Sequence, residues 1–167
     1  MKSPVLVLVF VFSSVIGSAQ KFKSVDNITS FQNIAFDSSP ESQNGSLDLD
    51  LIISYGLKYY KFKSRELKEI SGFKIHAINL GFRDDKLEYM DFYFKKLSSD
   101  DFTTLRTSLE REYGYAKEIE PIEVGVVQAV TWAGDNVTLN LYRFESDAND
   151  LEDRNKTVLA VSKSLIH

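Results

Sequence analysis

The stretch V126-V-Q-A-V-T-W-A-G-D-N-V-T-L-N-L-Y-R-F144 decides the fold class. Apolar and polar residues alternate on both sides of Gly134-Asp135, as in two half-buried strands joined by a tight turn. A two-residue loop pairs Trp132 with Val137, Val130 with Leu139 and Gln128 with Leu141. It leaves Thr131, Thr138, Asn140 and Tyr142 on the opposite face. Glycine at the first loop position suits a type II′ turn.

The same pattern recurs upstream. Phe73–Phe82 and Leu87–Lys95 read as a second hairpin around Arg83-Asp84-Asp85-Lys86. For Ile78, Leu80 and Phe82 to share a face with Met90, Phe92 and Phe94, the loop needs an odd number of residues, which favours three. Leu47 to Tyr59 alternates over a longer run and predicts one long strand bent at Gly56. Ser64 to Ser71 predicts a helical turn capped by Ser64 and stopped by Gly72. Thr157–Ile166 is the last strand expected. The period of three in Phe22, Val25, Ile28, Phe31 and Ile34 fits neither helix nor strand, and points to a short helix or irregular strand draped over the core.

One helix stands out. Ser98 or Ser99 caps it, Asp100 and Asp101 complement the positive end of its dipole, Phe102, Leu105, Leu109 and Tyr113 share a face, and Gly114 ends it. The expected class is α+β: a mainly antiparallel sheet of about five or six strands with one principal helix, about 99–113, on one face.

The N-terminus predicts export. Lys2 precedes the apolar run Val5–Phe12, and Gly17-Ser18-Ala19 places small residues where a signal peptidase cuts. The apolar run is far shorter than the roughly 20 residues a spanning helix needs. Residues 1–19 thus read as a cleaved leader, 20–167 as a single domain without a transmembrane segment, and the destination as periplasmic or extracellular. The chain has no cysteine. A small exported domain of that kind must hold together by packing, a task for its 12 Phe and 8 Tyr. The combination suits a bacterial envelope.

Charge limits the partners. The formal net charge is −4, and −5 once Lys2 is removed. Nucleic acid is not expected as a partner, because phosphate binding needs clustered Lys and Arg. Catalytic signals are sparse. His76 lies in a strand expected to place it beside Ile78 and Leu80, and His167 ends the chain. No nucleophile elbow, phosphate loop or zinc-binding His pair is present, and nothing asks for a cofactor. The acidic run Asp147–Asp153 lacks the glycine and closing glutamate of a calcium loop, so no metal site is expected. Asn27, Asn44, Asn136 and Asn155 each begin an Asn-x-Ser/Thr pattern, read here as incidental in a bacterial chain.

Two features point to function. A single helix covers one face of a sheet, and the other face would carry Tyr89, Asp91 and Tyr93 from one hairpin and Thr131, Thr138, Asn140 and Tyr142 from the other. Tyrosines among short polar groups make a recognition surface, so Tyr89, Tyr93, Asn140 and Tyr142 are the candidate ligand-binding residues. The function expected is an exported, non-enzymatic binding module with a protein or glycan partner. The alternatives are a secreted hydrolase using acidic residues, with Glu118, Glu120, Glu123, Asp84 and Asp85 as the material, and a structural envelope component acting through an exposed strand edge.

Three fragments carry a resemblance: INLGFRDDKLEYMDFYF, the Ser-capped helix closing on Glu112-Tyr113-Gly114, and VTWAGDNVTLNLYRF. Together they resemble small exported α+β domains of bacterial envelopes. The resemblance spans about Phe73 to Phe144. It implies the fold and the compartment, and transfers no functional residue.

Overall fold

The computed structural model describes residues 22–52, 56–94, 97–121, 123–145 and 156–164. Residues 1–19, expected to be a leader, the acidic run 147–153, Asn155 and His167 lie outside the described residues.

Two-residue turns set the architecture. Three strand pairs are closed by two residues that both have positive φ, the backbone of a type I′ turn, which matches the twist of paired strands. Gln32-Asn33 joins β1 (Ser30–Phe31) to β2 (Ile34–Ala35). Three more strands precede the next such turn: β3 (Gly45–Ile52), β4 (Lys58–Ser64) and β5 (Glu69–Ile70). Ser71-Gly72 then joins β5 to β6 (Phe73–Arg83), and Asp84-Asp85 joins β6 to β7 (Lys86–Phe94). The helix α1 (Ser99–Tyr113) follows, then β8 (Lys117–Glu118), β9 (Val126–Ala133), β10 (Val137–Phe144) and β11 (Thr157–Lys163).

The main sheet has nine strands, more than the five or six expected, and every pairing is antiparallel. Its order is β3-β4-β6-β7-β11-β10-β9-β8, with β5 beside β6. The C-terminal strand therefore enters the middle of the sheet and bridges two sequence-local hairpins. The class remains α+β.

Several local expectations change. The run Leu47–Tyr59 is two strands paired with each other, with Leu47 opposite Phe62 and Leu49 opposite Tyr60. Gly56, at φ +74°, lies between them instead of bending one strand. Leu49, Leu51 and Ile52 are more than half exposed, because β3 ends the sheet. Ser64 caps no helix. Its hydroxyl accepts from the Leu67 amide at 2.9 Å, in a turn that leads into β5.

The β6–β7 loop is even, not odd. A bulge opposite Gly81/Phe82 adds one residue on β7, so Phe82 faces Leu87 while Leu80 faces Met90. That extra residue restores the parity that the apolar pattern demands, and Phe82, Leu87, Met90, Phe92 and Phe94 are all buried. A second irregularity, between Ile75 and Ala77, isolates His76. Ile75 packs on the core, and His76 is exposed instead of lying beside Ile78 and Leu80.

In the opening stretch the register is two residues from expectation: Trp132 faces Leu139 and Val130 faces Leu141. A slip of two keeps every side chain on its face, so Trp132, Val137, Leu139 and Leu141 still reach the core. The turn is not type II′, since Gly134 has no positive φ. Glycine serves a close approach instead. A Cβ there would lie 2.2 Å from the Asp26 carboxylate, which accepts the Asn136 amide at 2.8 Å.

The core lies between one sheet face and a cover. Ser98 and Asp101 form a capping box at the start of α1, and Phe102, Leu105 and Leu109 pack inward. Val25, Phe31 and Ile34 of the N-terminal segment join them, with the Phe31 ring 5.4 Å from that of Phe92. The irregular segment is thus draped over the core as its period suggests. Trp132 is 3% exposed, and its indole N–H donates to the Gly114 carbonyl at 2.7 Å, tying the helix end to the sheet.

Candidate functional site: the second face of the sheet

Side chains alternate along each strand, so the residues between the core positions form the second face. The registers arrange them in three rows. The first runs Tyr59, Gly81, Tyr89, Ser162 and Thr138, across β4, β6, β7, β11 and β10. The second runs Lys61, Asn79, Asp91, Ala160, Asn140 and Thr131. The third runs Ala77, Tyr93, Val158, Tyr142 and Ala129. Small residues and half-buried tyrosines alternate along the first and third rows.

All four residues expected at a site lie on this face. Tyr89 and Tyr93 stand on either side of Asp91 along β7. Asn140 is in the row of Asp91, and Tyr142 is in the row of Tyr93. Each is half-buried.

Tyr59 and Glu123 complete the group. Consecutive tyrosines split between faces: Tyr60 meets Phe82 edge-on in the core at 5.5 Å, so Tyr59 must point the other way. Its ring lies 6.2 Å from that of Tyr89 and passes over Gly81, where an added Cβ would lie 3.0 Å from Tyr59 Cε1. Burial raises the Tyr59 hydroxyl above its ordinary pKa, and the neighbouring Asp91 adds to the shift. The signal in the sequence was the pair Tyr59-Tyr60 itself.

Glu123 arrives from the segment between β8 and β9. It is close enough to raise Tyr142, after burial, and to raise Asp91, again after burial. The Asp91 carboxyl is pushed up to about 6, with no basic group among its influences to offset the desolvation. Beside Tyr142 and Glu123 opens a pocket of about 220 Å³, lined also by Ile119, Glu120, Pro121 and Val126. Its walls are apolar, its charges are two carboxylates, and it has no basic lining residue.

Two of the other acidic candidates are paired elsewhere. Glu118 takes Arg106 at 3.1 Å and Asp85 takes Lys58 at 3.3 Å. The described residues contain no group of three or more His, Cys, Asp or Glu placed to hold a metal ion. None of their helices is long and apolar enough to cross a membrane. Comparisons with protein-family models, curated proteins and solved structures find no match to this chain.

Proposed function

We propose that this protein is an exported binding module without catalysis of its own, taking its ligand on the sheet face that α1 leaves open. The observation that carries the reading is the convergence of Tyr59, Tyr89, Tyr93, Asp91, Asn140 and Tyr142 from three strands, β4, β7 and β10, on one face. Half-buried tyrosines offer large rigid contact area at low entropic cost, and Asn140 and Asp91 supply direction. A desolvated carboxyl with no positive group among its influences costs stability, which supports a binding role for Asp91. The leader-like N-terminus supports export, and the resemblance to small envelope domains supports the same compartment.

The test is a combined Tyr89→Ala, Tyr93→Ala, Tyr142→Ala variant, compared with the parent on a glycan array and in pull-downs from the native envelope. The expected result is loss of the parent's binding with the far-UV circular dichroism unchanged. Full binding by the folded variant would overturn the reading.

One observation favours a hydrolase as a second reading. Burial raises the Asp91 carboxyl to about 6 and Glu123 adds to the shift, and two carboxyls in unlike surroundings are the material glycoside hydrolysis uses. Turnover of nitrophenyl glycosides that disappears in both Asp91→Asn and Glu123→Gln would establish it. Absence of turnover across such a panel would leave the binding module.

A further inference from the structure

The two ends of the main sheet are finished differently. One end is β8, which has two residues, with Glu118 held by Arg106 of α1 at 3.1 Å and Pro121 following. Short strands, charges and proline are the usual means of closing an edge to other chains. The other end is β3, eight residues long, which among the described residues pairs with β4 alone. Alternate residues of such a strand turn their N–H and C=O groups away from the sheet, where a further strand could take them. The register sets Leu47 opposite Phe62 and Leu49 opposite Tyr60, both on the core side. Past a bulge it sets Ile52 opposite Lys58, which in turn faces the buried Phe82. Leu47 packs on the core, while Leu49 and Ile52 are more than half exposed. The core side of this edge is therefore an apolar strip that the chain itself covers only at its Leu47 end.

Charge selects the occupant. The charged residues of β3 are Asp48 and Asp50, and the strand has no basic residue. Lys63 meets Asp48 at 3.1 Å and Lys61 meets Asp50 at 2.6 Å, both from β4. Each carboxylate is thus balanced from the β4 flank, and a strand on the outer flank meets it directly. Antiparallel self-pairing centred on Asp48, Leu49 or Asp50 would set carboxylate against carboxylate, which disfavours a second copy. Eight residues of edge also fall short of the roughly 20–30 residues a side found in stable interfaces. The bulge between Leu49 and Leu51 interrupts regular pairing and makes the edge more selective still.

We propose that β3 receives an extended segment of another protein as an added strand. Its apolar side chains lie beside Leu47, Leu49 and Ile52, and its Lys or Arg side chains lie beside Asp48 and Asp50. Main-chain hydrogen bonds supply the affinity. The two aspartates supply the choice, because a basic residue completes a row of alternating charge from β4 outward and an acidic one does not. This surface is the edge of the sheet, apart from the tyrosine face, and the proposal does not rest on the reading of that face.

The test is fluorescence anisotropy of labelled, end-blocked peptides with the purified protein at physiological ionic strength. The probes are Val-Lys-Val-Lys-Val-Ser-Val, the same peptide with Glu in place of both Lys, and the Lys peptide N-methylated at its three central residues, which cannot join a ladder. The Lys peptide is expected to bind about five-fold or more tighter than the Glu peptide, and the methylated peptide to lose binding. Leu49→Lys should weaken the Lys peptide by about five-fold or more. The double variant Asp48→Asn, Asp50→Asn should abolish the preference for Lys over Glu. Both variants change exposed side chains, and circular dichroism should show the parent fold. Equal binding of the Lys and Glu peptides, undiminished binding of the methylated one, or no binding at millimolar concentration would overturn the assignment. So would a dimer in sedimentation velocity that Leu49→Lys dissociates, since the edge would then belong to a second copy.

Discussion

At the residue scale, Trp132 shows what a lone tryptophan does in this fold. Its ring is buried among core residues and its N–H is spent on the Gly114 carbonyl. Trp132→Ala should cost about 3–5 kcal/mol in chemical denaturation, the usual range for emptying a large aromatic site. Trp132→Phe should retain much of the packing but leave Gly114 without its donor, costing about 1–3 kcal/mol. The core role was legible, because Trp132 shares a face with Val130, Leu139 and Leu141 in any even register. The hydrogen bond to the helix end was not, because nothing local links positions 132 and 114. Asp91 gives the same lesson from the site. Its face followed from alternation, yet its desolvation and its coupling to Glu123 depend on strands and loops brought in from 32 residues away.

At the element scale, periodicity served better than turn chemistry. The helix emerged with its cap, its buried stripe and its glycine stop because all its signals are local. The β6–β7 hairpin kept its faces although its loop had the wrong parity, since a bulge supplied the missing residue. The β3–β4 hairpin was misread as one strand. Its alternation runs through Gly56 almost unbroken, and the edge position that exposes Leu49 and Leu51 is a property of sheet order, invisible in the sequence. Gly81 links element to site. It is the floor on which Tyr59 and Tyr89 meet, and a methyl group there would press on both side chains. Gly81→Ala should displace the Tyr59 ring and cost about 1–3 kcal/mol, as overpacking does. Thermal denaturation and a changed Tyr59 ring environment in the nuclear magnetic resonance spectrum would check it.

At the scale of the whole molecule, the design is a sheet covered on one side by α1 and the N-terminal segment, with an acidic and aromatic patch on the other, where Ala129, Thr131 and Val158 are themselves buried. That patch has a thermodynamic signature. Asp91 titrates at about 6 in the folded protein against 3.8 for an unperturbed side chain. Between these values the folded state holds a proton that the unfolded state has released. This group's contribution to stability is therefore greatest below pH 4, declines as pH rises to 6, and is flat above. Asp91→Asn should remove that slope and raise stability near neutral pH by on the order of 2 kcal/mol, read from urea midpoints between pH 4 and 8. A variant that becomes more stable while losing its ligand is what a binding acid, and not a structural one, produces.

The most direct measurement of the central claim is the titration of the Asp91 carboxyl carbon by nuclear magnetic resonance in the ligand-free protein. An Asp91 midpoint near 6 that moves toward 4 in Glu123→Gln is the result predicted. A midpoint near 4 in the parent, unmoved by Glu123→Gln, would contradict the account. It would mean that the open face is ordinary solvated sheet.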